Sequence, residues 1–442
     1  MIDVDLIVEA GQLITINENN EILENYALII KQNKIIDILP YENYQSKYHS
    51  ENIIDASNQI VMPGFINTHS HIAMAYFKGL ADDLPLDIWL NQYIWPAEAK
   101  CLNPEFVFEA SLNGIAELIR SGVTCFNDMY FYPDETIKAC NQANMRALIG
   151  DITLDFPMGD FHHPQNNLKN FHKYKNLIKN NDLIDISIAP HSIYVCSKQT
   201  WLNCIAVAKQ ENCIIHTHLS ETEQENIDCK KQNDGLSPIQ YLESLGALDT
   251  KTILAHGVHL DSEDISIIKN KDCSIALNIH SNLKLASGFP PIPEYLQNNI
   301  NLSIGTDSVA SNNKLSCVDE ISTIAKLYKA LYKNPTAISA KSLVRMATID
   351  SAKALGKQDV LGSLEIGKLA DLITIDCDNF LSNPIYDPYS YIVYSMDRLN
   401  INDTIINGKV VLRNKKLQTI DEMLLLKNSL KNKNNIISRI KK

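Results

Sequence analysis

Eight short apolar runs, each followed by text with apolar residues at three- and four-residue spacing, occupy the middle of this chain. They read "IVMPGFINTHSH", "GVTCFNDM", "MRALIGDI", "IDISIAPHS", "CIIHTHLSE", "TILAHGVHL", "CSIALNIHSN" and "INLSIGTDS". A strand that is apolar on both faces must be covered on both, as in a parallel sheet flanked by helices. Eight such units predict an α/β fold closed into a (β/α)8 TIM barrel, with an open doubly wound sheet as the alternative. The flanks read differently. "DLIVEA", "QLITIN", "YALIIKQ" and "KIIDIL" on one side, and "ADLITID", "YIVYSM" and "DTIINGKVVLRNKKL" on the other, are strand-and-turn text, with "NGK" a hairpin signal. The expectation is a small β-sandwich domain formed by both termini, residues 1–60 and 365–420. The barrel spans 61–364 between them, and 421–442 form a helical or frayed tail.

The polar residues of the eight units gather at the carboxyl ends of the runs: His69, His71, Asp128, Asp151, His191, His218, His256, His280 and Asp307. On a barrel that end is the functional face. The link after the first run is the longest and contains "KGLADDLPLDIWLNQYIWPAEAK". It reads equally as a lid and as an extra helix packed through Trp89 and Trp95.

Charge narrows the partners. Acidic residues number 52 against 40 lysines and arginines, a net charge of -12, which repels nucleic acid. The ten cysteines are dispersed with no CxxC pair, which argues against a zinc ribbon or a disulfide framework. The opening "MIDVDLIVEA" has no basic region, and no stretch approaches the ~20 apolar residues that cross a bilayer. A cytoplasmic protein with a small-molecule partner is expected, with no membrane contact; self-association into a homo-oligomer stays open.

His69 and His71 lie two residues apart at a strand end, so both side chains point the same way. With His218 and Asp307 from other strand ends they make a set of nitrogen and oxygen donors suited to zinc, with room for water. His216 rivals His218, because it faces the same side of its strand. His256 also reads as a core histidine, and Asp307 as a helix cap. Hydrolysis on a metal needs a proton carrier for the leaving group, and Glu221 stands three residues beyond His218. Glu223 and Glu225 beside it make surface charge the competing reading.

Taken in order, "PGFINTHSHIAM", "WPAE", "APHSIYVCS", "HTHLSET", "ILAHGVHL", "SNLKLASG" and "GTDSVASNN" resemble the amidohydrolase superfamily, and within it the methylthioadenosine/S-adenosylhomocysteine deaminases. The resemblance implies one divalent metal, usually zinc, on His69, His71, His218 and Asp307. His216 is then the non-ligand. It further implies that Asp307 takes a proton from the activated water, that Glu221 delivers one to purine N1, and that His256 orients the attacking oxygen. Glu98 and His191 match positions that contact the nucleoside, and ammonia is lost from C6. One departure stands out. Relatives that accept an amino-acid tail carry arginines in text resembling "RALLTRG", where this chain has "RALIGDITLDF", with Asp151 at the second arginine; "GDFHHPQNNLKNF" also lacks arginine. That favours methylthioadenosine or adenosine over S-adenosylhomocysteine. The competing functions are another aminohydrolase or a chlorohydrolase acting on guanine or a triazine, and a noncatalytic binding barrel.

Overall fold

The computed structural model describes residues 1–160 and 163–440. Phe161 and His162 of "GDFHHPQNNLKNF", and the last two lysines of the tail, lie outside the described residues. Each of the eight apolar runs forms a strand: β1 (Phe65–Ser70), β2 (Val123–Tyr130), β3 (Arg146–Thr153), β4 (Ile184–Pro190), β5 (Ile215–Leu219), β6 (Thr252–His256), β7 (Cys273–Leu277) and β8 (Asn301–Ile304). They pair in sequence order and all in parallel. Every residue of β2 and of β3 is buried, which is why these runs carry no period-two alternation.

Closure between β8 and β1 rules out the open sheet. Ser70 bridges to Asp307 in parallel, and the backbone N–H groups of Thr306 and Asp307 both donate to the His69 carbonyl, at 3.1 and 3.0 Å. Gly305 permits this approach: a Cβ there would meet Asn278 Oδ1 at 2.2 Å and His69 Cβ at 2.9 Å.

The two flanks pair into one eight-stranded mixed sheet, in which Ile53–Pro63 runs antiparallel to Leu372–Asp376 and parallel to Leu6–Ile14. The "NG" pair turns one hairpin, with Asn407 and Gly408 both at positive φ, as a two-residue turn requires. The "YIVYSM" stretch departs from expectation. It lies mostly in a helix, Pro388–Tyr394, capped by Asp387 donating no group but accepting from the Tyr389 N–H. Proline at the first helical position and the Asp cap outweigh the β-propensity of the run. Sheet and barrel are joined by a buried ion pair, Arg146 to Asp371 at 2.7 Å, with Asp371 also accepting from the Asn407 N–H at 2.7 Å.

Four helices matter for the site: α1 (Trp95–Cys101), α2 (Pro104–Arg120), α3 (Glu223–Gln232) and α4 (Glu422–Ile440). The last is a continuous helix docked on the barrel's side rather than a frayed tail, with Asn432 and Ile436 buried. No helix among the described residues is long and apolar enough to cross a membrane.

Candidate active site

The strand ends bring His69, His71, His218, His256 and Asp307 to one buried point. One donor atom from each of His69, His218, His256 and Asp307 lies within 4.8 Å of the others. His71 joins them, its Nε2 lying 3.2 Å from both His218 Nε2 and Asp307 Oδ1.

The histidine Nδ1 atoms decide what the Nε2 atoms can do. His71 Nδ1 lies 2.6 Å from the Met129 carbonyl and His218 Nδ1 lies 2.7 Å from the His191 carbonyl. A carbonyl only accepts, so these Nδ1 atoms carry the hydrogen and, in the neutral ring, each Nε2 presents a bare lone pair. Lone pairs facing each other at 3.2 Å repel unless a cation lies among them. Nitrogens on a tetrahedral zinc, with Zn–N of ~2.0–2.1 Å, stand about 3.3 Å apart. The donor set therefore fits a divalent metal. His69 Nδ1 contacts His216 Nε2 at 2.8 Å, and His69 Nε2 is buried with no hydrogen-bond partner among the described residues. His216 is thus the support that turns His69 Nε2 to the site.

Asp307 presents one oxygen. Its Oδ2 accepts from the Ser281 and Ser311 hydroxyls at 2.6 and 2.9 Å, which leaves Oδ1 toward His69 and His71. Burial pushes this carboxyl up, but the His69 and His71 rings beside it outweigh burial and hold the group well below the carboxylate range. Asp307 and His256 both have left-handed backbone, φ +58° and +75°. Each such residue costs on the order of 1–3 kcal/mol and persists only where its surroundings fix it. Burial pushes His69 down to about 4 and His191 down to about 3, so both rings are neutral and fit to donate a lone pair.

His256 Nδ1 lies 2.7 Å from Asn282 Oδ1, and its Nε2 faces Glu221 Oε2 at 3.8 Å. Glu221 is buried, and that burial raises its pKa. Sequence reasoning missed what fixes it. Glu225, on α3, is buried as well, and its two oxygens accept from the Ser220 and Glu221 N–H groups at 3.0 and 2.8 Å. Only Glu223 of the neighbouring acids is exposed.

A cleft opens over these groups. The long link supplies much of its wall through Leu86, Trp89, Leu90, Ile94 and Trp95, so it is both packed helix and cover. Glu98 enters from α1, and its Oε1 accepts from the Tyr130 hydroxyl at 2.6 Å. Burial pushes the Glu98 carboxyl up to about 7 against that hydrogen bond. His191 also lines the cleft, and none of the described lining residues is lysine or arginine.

Three strand-end residues play other parts. Asp128 Oδ1 accepts from the Ile72 N–H at 2.7 Å and so holds the turn after His71. His280 contacts Thr323 and Asn312, away from the cluster. Asp151 does not line the cleft: Ile152 and Leu154 do, whereas Asp151 is turned toward the helices, where its charge is felt by Tyr174 and Cys204. Strand alternation puts it there, and it has no place opposite a substrate tail.

The amidohydrolase family profile matches residues 60–411. The chain belongs to that family. This amidohydrolase is 40% identical over 418 residues to a 5-methylthioadenosine/S-adenosylhomocysteine deaminase of Thermodesulfovibrio yellowstonii, covering 94% of this chain and 95% of the relative. It is 42% identical over 398 residues to a 5'-deoxyadenosine deaminase of Methanocaldococcus jannaschii, covering 89% and 93%. A zinc-bound adenosine deaminase from Xanthomonas campestris superposes with a TM-score of 0.96 at 33% identity, covering 99% of each chain.

Proposed function

We propose that this amidohydrolase deaminates an adenosine-type nucleoside hydrolytically, with one divalent metal, zinc, on His69, His71, His218 and Asp307. The observation that carries the reading is the convergence of bare imidazole lone pairs and one aspartate oxygen beside the buried Glu221. A metal held there supplies Lewis acidity and hydroxide at neutral pH. Asp307, kept ionised by its imidazole neighbours, accepts the proton of the attacking water. Glu221, whose burial favours the protonated form, gives its proton to the ring nitrogen that gains electron density as C6 becomes tetrahedral. His256 Nε2, fixed through Asn282, orients the oxygen at C6. The C6–N bond then breaks with a proton moved to the amine, and ammonia leaves.

Glu98 and His191 hold the nucleoside. The cleft is apolar and aromatic along the link and, among its described lining residues, contains no cation, so a carboxylate-bearing 5' substituent would be desolvated without a partner. We therefore assign neutral substituents, as in 5'-methylthioadenosine, 5'-deoxyadenosine or adenosine, as preferred over S-adenosylhomocysteine. The argument rests on the cleft wall, since Asp151 faces elsewhere. In this reading residues 61–364 are the catalytic unit and 1–60 with 365–420 its support, in a cytoplasmic protein.

A panel of these nucleosides, with ammonia release measured on protein of known metal content, tests the proposal. We expect one zinc per chain, loss of turnover on chelation, and a higher kcat/KM for the neutral substituents. Two metals per chain, or faster turnover of S-adenosylhomocysteine, would overturn it.

A further inference from the structure

Helix α4 comes from residues 422–440, yet it packs where the substrate would be recognised. Its middle rests on α2: Lys431 pairs with Glu105 at 2.8 Å, and the Asn432 amide donates to Glu109 Oε2 at 2.7 Å. Its second half reaches α1. Ile436 is buried in one apolar cluster with Ala97, Cys101, Phe106, Ile94 and Trp89. The Arg439 guanidinium donates to the Lys100 carbonyl at 2.7 Å. That carbonyl belongs to the last turn of α1, where no intrahelical donor remains, so a cation there completes the helix and complements its dipole.

Helix α1 is short and follows a π-helical turn, Trp89–Ile94, which is a poor foundation for an exact side-chain position. It has two faces. Trp95 and Glu98 look into the cleft. Ala97 and Cys101 do not line the cleft and are buried in the apolar cluster that includes Ile436. Tyr130 fixes only the tip of Glu98. The backbone that carries Glu98 is held from behind by α4.

We propose that Ile436 and Arg439 are positioning residues for Glu98, and that α4 sets the affinity of the site for the nucleoside's sugar without touching substrate. The proposal rests on the deaminase reading, in which Glu98 holds the nucleoside: with C6 and its amine at the metal site, the donors left for a carboxyl acceptor are the ribose hydroxyls. Its consequence is a split between binding and chemistry, because the metal ligands and Glu221 stand at or just beyond the ends of β1, β5 and β8, whereas Lys431, Asn432 and Arg439 bond to α2 and α1.

The test uses the full-length, metal-loaded protein with Arg439→Ala, Arg439→Lys and Ile436→Ala. Losing one charge-assisted hydrogen bond is expected to raise KM for the nucleoside on the order of tenfold. We expect kcat within twofold of wild type, unchanged metal content, partial rescue in Arg439→Lys, and no change in KM for a 2',3'-dideoxy analogue that lacks the hydroxyls. Hydrogen exchange provides a readout independent of turnover: amides of 89–101 should exchange faster in both alanine variants while those of β1 and β5 do not. An unchanged KM, an equal KM rise for the dideoxy analogue, or exchange that quickens throughout the barrel would overturn the proposal. A wild-type protein that deaminates no nucleoside would instead remove the deaminase reading, and the exchange result would still decide whether α4 braces α1.

Discussion

Glu221 and Glu225 lie four residues apart, on either side of the start of α3, and divide a task between them. Glu221 faces His256 and the cleft, while Glu225 ties down the backbone under it, including Ser220, whose φ is +47°. Replacing Glu221 by Gln keeps the volume but removes the acidic proton. We expect unchanged metal content and a rate lower by ~100- to 10,000-fold, as for other lost acid/base groups, measured by steady-state ammonia release. Glu225 predicts a pH effect on stability. Burial pushes its carboxyl up to about 7, against the pull of the two N–H groups, whereas a free glutamate titrates near ~4.3. Between those values the folded protein holds a proton that the unfolded chain has released. Its stabilising contribution is complete below the unfolded pKa and is lost as pH rises through the folded one. Glu225→Gln cannot titrate. Relative to that variant, which also loses one acceptor, the wild type should lose stability by ~1.4 kcal/mol per pH unit between about pH 4.3 and 7, read as the change in the gap between paired denaturation curves. A gap that stays constant with pH would show that Glu225 is ionised throughout.

At the scale of elements, the barrel's closing seam and its metal site are the same structure. The N–H groups of Thr306 and Asp307 bind the carbonyl of His69, so the strand that supplies the aspartate is registered on the strand that supplies two histidines. Gly305→Ala puts a methyl group 2.2 Å from Asn278 Oδ1 and 2.9 Å from His69 Cβ. Overpacking of this kind typically costs ~1–3 kcal/mol. We expect a lower melting temperature together with reduced metal content, measured by elemental analysis; a loss of stability with full metal retention would separate seam from site. This seam was legible in the sequence, because continuous apolar strands and polar strand ends are both one-dimensional patterns. His69, His71 and Asp307 could be picked out as candidate ligands for that reason, whereas His218 was separated from His216 only by the resemblance. Glu225 was hidden because its purpose depends on two backbone N–H groups that only the fold brings to it. His216 was read as a non-ligand through the resemblance alone, because its contact with His69 spans two strands. Asp151 was placed at the correct strand end, and the alternation that turns it outward was there to be read. "YIVYSM" misled because its cap, Asp387 followed by proline, stands just upstream of the run and outranked propensity.

Across the whole molecule, Arg146 holds the supporting sheet to the end of the barrel away from the cleft. It sits at the first residue of β3, while the cleft lies beyond the last, and its guanidinium grips both oxygens of Asp371 at 2.7 and 3.0 Å. Both residues are buried, with 6% and 5% of their surface exposed, so neither charge is tolerable without the other. Removing one member of a buried pair typically costs ~3–5 kcal/mol, chiefly because the other is left desolvated and uncompensated. Arg146→Met should therefore lower the melting temperature strongly while kcat on the surviving folded fraction stays near wild type. Adding Asp371→Asn should recover part of the loss, since the neutral amide oxygen can still accept from the Asn407 N–H, which now meets Asp371 Oδ1 at 2.7 Å. The double variant is the decisive measurement. Recovery would show that the single variant suffers from a stranded charge; a further loss would show that the pair binds sheet to barrel by its geometry, with the guanidinium's bonds to the Asp182 carbonyl and Asn407 as the part that methionine cannot replace.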